Sequence, residues 1–313
     1  VLWTQQIDPV SAESIKLTSA DGTGLLHRLW RAENPRGIVQ IIHGGAEHGG
    51  RYARLAEQLN TAGFIAVAQD HRGHGRTAAV NGSFGALGDP NGFELILADE
   101  QQLTAELQRR FPAAPIVLLG HSLGSLISQR LLMARDNPYA GAALSGSPDL
   151  ESVIAARPLI EAEIAHLGRH AVSDTLESAI VAGFAAAVPD ASTPNDWLSR
   201  DPHEVASYAA DPLCGFPLCA SAWLDLLDAM ESTLRAETVK QVRRDIPIYV
   251  FSGSADPVHS DGAALRRLFN NYSLAGIADL ELRCYPGARH ETLNESNRDE
   301  VVADLLAWLQ RRW

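Results

Sequence analysis

Cysteine is scarce in this chain. Only Cys214, Cys219 and Cys284 occur, and their spacing makes neither a disulfide framework nor a set of metal ligands. A reducing compartment is the simplest reading, which points to the cytoplasm. Lysine is scarcer still: Lys16 and Lys240 are the only two, and arginine supplies the other positive charges. Acidic residues outnumber basic ones by 38 to 26, giving a net charge of −12. That balance argues against nucleic acid or an anionic membrane as a main partner, because both select basic patches. Long apolar runs are also missing. The longest, AIVAGFAAAV at 179–188, is too short to span a bilayer, so no integral membrane segment is expected. The start, VLWTQQIDPV, has no basic-then-apolar leader pattern, although the missing initiator Met leaves a removed signal peptide open.

What is present is ample core material: 46% hydrophobic residues in 313. SIKLTS (14–19) and LLHRLWRA (25–32) flank the turn-former ADGTG and read as a hairpin. Buried strands then alternate with helices. GIVQIIHGG (37–45), FIAVAQD (64–70), PIVLLG (115–120) and AGAALSG (140–146) are the strands; a pattern with Leu55, Ala56, Leu59 and Ala62 on one face, stopped by Gly63, and the stretches 93–111 and 122–135 are the helices. This alternation predicts a mostly parallel sheet with helices on both faces. The rhythm stops at Ser147. From there to Arg244 there are amphipathic helical segments at 151–168, 174–188 and 221–243, separated by prolines. Strands resume at IPIYVFSG (246–253) and LELRCY (280–285), with helices at 260–272 and 296–310. The expected organisation is a core of 1–146 and 245–313, eight strands in all, carrying a helical cap of 147–244 inserted after the sixth strand.

The stretch PIVLLGHSLGS drives straight from a buried strand into Gly120-His121-Ser122-Leu123-Gly124. A serine with glycine at −2 and +2, between strand and helix, fits the sharp strained turn that pushes a nucleophile out at the sheet edge. A serine hydroxyl needs a base to take its proton, and an acid to orient that base. Asp256 in GSADPV and His290 in YPGARHE each follow a predicted strand, so both fall on the same edge as Ser122, in the order nucleophile, acid, histidine. His259 and Asp261 lie close to Asp256: the first could cap the next helix, and the second is an alternative acid. His121 should point away from the nucleophile.

Acyl chemistry also needs donors for an oxyanion. The N–H of Leu123, just after the nucleophile, is one; the N–H of Gly45, in the glycine turn after GIVQIIHGG, is the other. The plain alternative, glycines needed for a tight turn, is also true here.

These pieces together resemble the α/β-hydrolase fold, and within it the monoacylglycerol lipase and lysophospholipase-like serine hydrolases. The resemblance rests on HGGAEHGGRY (43–52), DHRGHGRT (70–77), GHSLGS (120–125), SRDP and ADPL (199–202 and 210–213), GSADPV (253–258) and YPGARHETLNE (285–295). It implies cofactor-free hydrolysis of carboxylic esters with an acyl chain, an acyl-enzyme on Ser122, His290 as general base then acid, and Asp256 holding the tautomer. It also implies a cap over an acyl channel, for which Phe184, Trp197, Phe216, Leu218 and Trp223 are the candidate lining residues. Asp70, Arg72 and His74 shape the loop beneath the site; Glu47 and His48 line its mouth or brace the first oxyanion loop. The group often carries GHSMGG where this chain has Leu123 and Ser125, two small changes.

Other acyl bonds on the same machinery stay open: a thioester, a lactone or an N-terminal peptide amide. The last needs a cap carboxylate for the substrate amine, with Glu151, Glu161, Glu163, Asp196, Glu204 and Asp225 available. A non-catalytic binding protein on a hydrolase scaffold is the reading from another class.

Overall fold

The computed structural model describes residues 12–149, 154–189, 191–259 and 262–313. Glu151 and Asp261 therefore lie outside the described residues. Eight strands form one sheet in the order β1-β2-β4-β3-β5-β6-β7-β8. They are β1 (Glu13–Thr18), β2 (Gly24–Trp30), β3 (Gly37–Ile42), β4 (Phe64–Asp70), β5 (Ile116–His121), β6 (Tyr139–Ser145), β7 (Ile248–Gly253) and β8 (Leu280–Tyr285). The hairpin of β1 and β2 joins antiparallel to β4, and every other pairing is parallel.

Side chains alternate across the sheet, so each central strand feeds two cores. Ile38 and Ile42 of β3 with Ile116 and Leu118 of β5 pack on one face. That face is covered by α3 (Gly92–Arg110) and α4 (Leu123–Leu132). Val39, Ile41, Val117 and Leu119 pack on the other. There α1 (Ala53–Thr61) supplies Leu55 and Leu59, and the C-terminal helix Arg298–Gln310 supplies Val301, Leu305 and Trp308. A further short helix, α2 (Gly75–Asn81), occupies what the sequence suggested was loop.

Among its described residues, the segment between β6 and β7 contributes no strand to the sheet. It carries α5 (Arg157–Leu167), α6 (Asp174–Ala186), α7 (Pro202–Ala210) and α8 (Ala220–Thr233). It has a small core of its own, in which Ile160, Leu176, Ala220 and Leu227 are buried together. α9 (Ala263–Ala275) follows β7, and the Arg298–Gln310 helix, α10, ends the chain.

Candidate active site

Ser122 joins β5 to α4 with φ 53° and ψ −116°, a conformation that costs a non-glycine residue energy. Its neighbours explain why it persists. A Cβ on Gly120 would lie 2.3 Å from the Gly124 carbonyl oxygen and the same distance from Ser128 Oγ. A Cβ on Gly124 would lie 1.8 Å from the Ile42 carbonyl oxygen. The Ser122 N–H donates to the Ser145 carbonyl at 2.9 Å, pinning the turn to the end of β6. α4 begins at Leu123, so the N–H groups of its first turn have no carbonyl within the helix to bond and its positive end faces the serine.

His290 and Asp256 meet at the same edge. His290 Nδ1 is 2.9 Å from Asp256 Oδ2, and both side chains are buried. Asp256 Oδ2 also accepts from Ser252 Oγ at 2.8 Å, and Oδ1 from the Val258 N–H at 2.9 Å. Burial pushes the Asp256 carboxyl up, but the His290 charge and hydrogen bond, with His259 and the Val258 N–H, hold it well below the usual range. For His290 burial works downward, and the Asp256 charge and hydrogen bond, helped by Glu291 and Glu47, carry its pKa above the ordinary value. His259 Nε2 lies 3.4 Å from the same Asp256 oxygen, while its Nδ1 accepts from Gly262 N–H just ahead of α9. His121 is buried with its ring centroid 4.7 Å from that of His290. Burial, then the neighbouring His290, lowers its pKa to about 4, so it stays neutral.

The link back to Ser122 runs through Gly44. A Cβ there would touch Ser122 Cβ at 3.3 Å and His121 Cδ2 at 3.2 Å, so the first glycine turn rests directly on the elbow. The turn is braced from below. Glu47 Oε1 accepts from Gly44 N–H at 2.7 Å and from Tyr52 OH at 3.0 Å. Arg51 bonds Glu47 Oε2 at 2.7 Å and both carboxylate oxygens of Glu291 at 2.6 Å. Glu47 thus braces the loop, and Arg51 ties the brace to Glu291, the residue beside His290. The i, i+4 spacing of Glu47 and Arg51 in HGGAEHGGRY was the visible signal; the Glu291 partner, 240 positions away, had none. Asp70 sits deeper, accepting from Arg28 at 2.6 Å, Gly49 N–H at 2.9 Å and Arg76 N–H at 2.8 Å. Arg72 reaches Asp99, Asp21 and Ser19, and His74 Nδ1 bonds the Arg72 carbonyl, so all three hold loops in place.

Ser122, Leu123, Gly45 and Ala46 open into a cavity of about 500 Å³ between the sheet edge and the insertion. Phe184, Trp197, Phe216, Leu218 and Trp223 all line it, joined by residues the sequence reading did not single out, among them Ile160, Ile180 and Met230. Aromatic rings lead from the wall to the base: Phe184 lies 5.0 Å from Trp197, and Trp197 lies 5.1 Å from His290. Among the described residues one carboxylate lines the cavity, Glu177 of α6, whose pKa burial raises. Helical spacing with Val181 and Phe184 would have singled it out. The carboxylates considered from the sequence are engaged elsewhere. Asp225 accepts from Gly92 N–H, Glu204 from Arg54, Asp196 from Ser192 N–H, and Glu163 from Ser173, while Glu161 lies near Arg157. His48, Asp211 and Cys214 offer ligand atoms within 4.8 Å of one another. His48 Nδ1 accepts from Gly50 N–H, so its proton resides on Nε2, aimed at Asp211 Oδ2 at 2.9 Å. A metal would have to displace that proton, so these residues do not fit a resident ion.

A parallel sheet with a strained serine turn and a buried Asp–His pair at one edge is the arrangement of serine hydrolases of the α/β-hydrolase fold. The family model Hydrolase_4, described as serine aminopeptidase, S33, matches residues 33–297, and the chain belongs to that family. Within the fold it falls in the monoacylglycerol lipase-like group. It is 29% identical over 296 residues to a monoacylglycerol lipase of Mycolicibacterium smegmatis, covering 92% of this chain and 93% of that one. It is 28% identical over 301 residues to the Homo sapiens monoglyceride lipase, covering 95% and 90%. Among solved structures, a carboxyl esterase from Bacillus coagulans superposes with a TM-score of 0.90 at 29% identity, covering 97% of this chain and 99% of that one.

Proposed function

We propose that this chain hydrolyses carboxylic esters of monoacylglycerol type through an acyl-enzyme on Ser122. The observation that carries the reading is the strained serine at the floor of a mostly apolar cavity of about 500 Å³, large enough for an acyl chain. The residues of 147–244 act as the cap over that cavity, with 1–146 and 245–313 as the catalytic core. The acyl chain lies against Phe184, Trp197, Phe216, Leu218 and Trp223.

His290 takes the Ser122 proton as Oγ attacks the ester carbonyl. Negative charge collects on the carbonyl oxygen, where the N–H groups of Gly45 and Leu123 receive it. Collapse breaks the C–O bond, and His290 returns the proton to the departing alcohol. Water then enters; His290 takes its proton as hydroxide adds to the acyl carbon, and on collapse the C–Oγ bond breaks, His290 returns the proton to Ser122 Oγ and the carboxylic acid leaves. Asp256 keeps the His290 proton on Nδ1 and stabilises the imidazolium. No step needs a cofactor. A cytoplasmic location belongs to the same proposal and is supported by three free cysteines.

The family description favours a second reading, release of an N-terminal residue from a peptide. Such a substrate needs a carboxylate beside the scissile bond. Glu177 is the one carboxylate on the cavity wall among the described residues, and the lining around it is largely apolar, as an acyl chain requires. Esters are the better fit. Replacing Ser122 by Ala and assaying 1-monoacylglycerols of graded chain length beside an aminoacyl amide tests both: turnover surviving in the variant removes Ser122 from the chemistry, and a preference for the amide reverses the choice of substrate.

A further inference from the structure

Ala46 has φ +53° although it is not glycine, a left-handed conformation that costs an ordinary residue about 1–2 kcal/mol. Two groups of the insertion hold it there. Tyr208 OH donates to the Ala46 carbonyl at 3.0 Å, and Gly215 N–H donates to the same oxygen at 2.9 Å. Tyr208 lies in the last turn of α7 and is buried, with the Arg51 guanidinium 4.9 Å from its ring centroid. The turn carrying Gly215 is itself tied to the core by the contact of Asp211 with His48.

The peptide planes around Ala46 give this clamp a purpose. The Gly44 N–H is bonded to Glu47, and the Gly44 carbonyl is 2.7 Å from His43 Nδ1. His43 Nε2 accepts from the His71 N–H, so Nδ1 carries the proton and donates. These bonds fix the loop on its core side. Gly45 N–H, by contrast, has no acceptor among the described residues, and Gly45 and Ala46 both face the cavity. The next anchored plane is the one whose carbonyl Tyr208 and Gly215 grip. The Gly45 N–H shares its rigid peptide plane with the Gly44 carbonyl, so the His43 bond holds it from the core side, while the insertion's grip on the Ala46 carbonyl fixes the chain just beyond it.

We infer that the insertion completes the oxyanion hole: Tyr208, together with the Gly215 N–H, is a positioning residue that seats the Ala46 carbonyl and so aims the Gly45 N–H. This rests on the reading of Gly45 as an oxyanion donor. It makes the insertion part of the catalytic apparatus as well as a wall for the acyl chain, because any shift that lifts α7 also loosens the donor.

The test is Tyr208→Phe, which keeps the ring under Arg51 and removes only the hydroxyl. Loss of a whole oxyanion donor costs about 10²–10³ in rate, so loosening one is expected to lower kcat about 10-fold with KM within about 2-fold. A trifluoromethyl ketone with an acyl-like chain, which forms an oxyanion on addition of Ser122 Oγ, should weaken in parallel with kcat. The free fatty acid product should bind as before. Adding Ala46→Gly to the variant should recover part of kcat, because glycine takes φ +53° without a clamp. An unchanged kcat, a loss shared equally by ketone and fatty acid, or a kcat loss that Ala46→Gly leaves untouched overturns the inference. Ser122→Ala distinguishes the two levels: turnover without Ser122 overturns the catalytic reading itself, whereas a dead Ser122→Ala beside a fully active Tyr208→Phe overturns only the clamp.

Discussion

Gly124 lies so close to Ile42 that a Cβ on it would fall 1.8 Å from the Ile42 carbonyl oxygen. Helix α4 and strand β3 therefore meet backbone to backbone, and the serine turn owes its sharpness to that contact. Ala at 124 should force α4 away from β3. The expected result is a loss of about 3 kcal/mol or more, read as a fall in Tm of roughly 6–12 °C together with failure to react with a fluorophosphonate. A soluble Gly124→Ala protein with the parent Tm and normal labelling would show that the packing gives way easily.

The second prediction concerns the acid–base pair. His290 must be neutral to accept a proton, and its pKa is raised above 6.5, chiefly because the Asp256 charge and hydrogen bond overcome burial. The acid limb of kcat/KM should therefore have its midpoint above pH 6.5. In Asp256→Asn the main raising charge is gone and burial is opposed only by Glu291 and Glu47, so the limb should move to lower pH while the rate falls by about 10⁴. A limb that stays in place in the Asn variant would mean that another group governs it.

The sequence disclosed the sheet and the elbow because both are written locally. Apolar runs, several of them ending in glycine, mark most of the parallel strands, and Gly120 and Gly124 announce a backbone contact that no other residue tolerates. Asp256 and His290 could be picked out because each follows a strand, and parallel strands deliver their ends to one edge. Two helices escaped this kind of reading. α2 is bounded by Gly75 and Gly82, which look like loop. α7 opens with Pro202 at its first position, and Asp201 caps it by accepting from His203 N–H. Proline there starts a helix, but in a proline-rich stretch it reads as a break. Tyr208 on Ala46 was out of reach for a different reason: 162 residues separate the two, and neither stands in a pattern that names the other.

Arg51 supports a third prediction. Its guanidinium is nearly enclosed and joins Glu47 to Glu291, the first bonded to the Gly44 N–H and the second adjacent to His290. Arg51→Met leaves two buried carboxylates facing each other without a counter-charge, a cost of about 3–5 kcal/mol. The protein should melt well below the parent at neutral pH. Converting Glu47 and Glu291 to Gln in the same chain removes the repulsion and should recover most of the loss. Chemical denaturation of the single and triple variants checks this; equal stability for the two would show that the carboxylates contribute nothing to the defect.

The last prediction turns on Glu177, the one carboxylate on the cavity wall among the described residues. Its pKa is raised by burial alone, with no charged partner contributing, so an acyl chain passing it meets a polar group that it cannot satisfy. Leucine at this position would continue the apolar surface formed by Ile180, Val181 and Phe184 on the same helix. Each buried methylene contributes about 0.8 kcal/mol, so relief over two or three methylenes should raise kcat/KM for long-chain monoacylglycerols by about 15- to 60-fold. Esters too short to reach Glu177 should be unaffected. A chain-length series on Glu177→Leu and the parent provides the measurement. A uniform change at every length would mean that the acyl chain takes another path through the cavity.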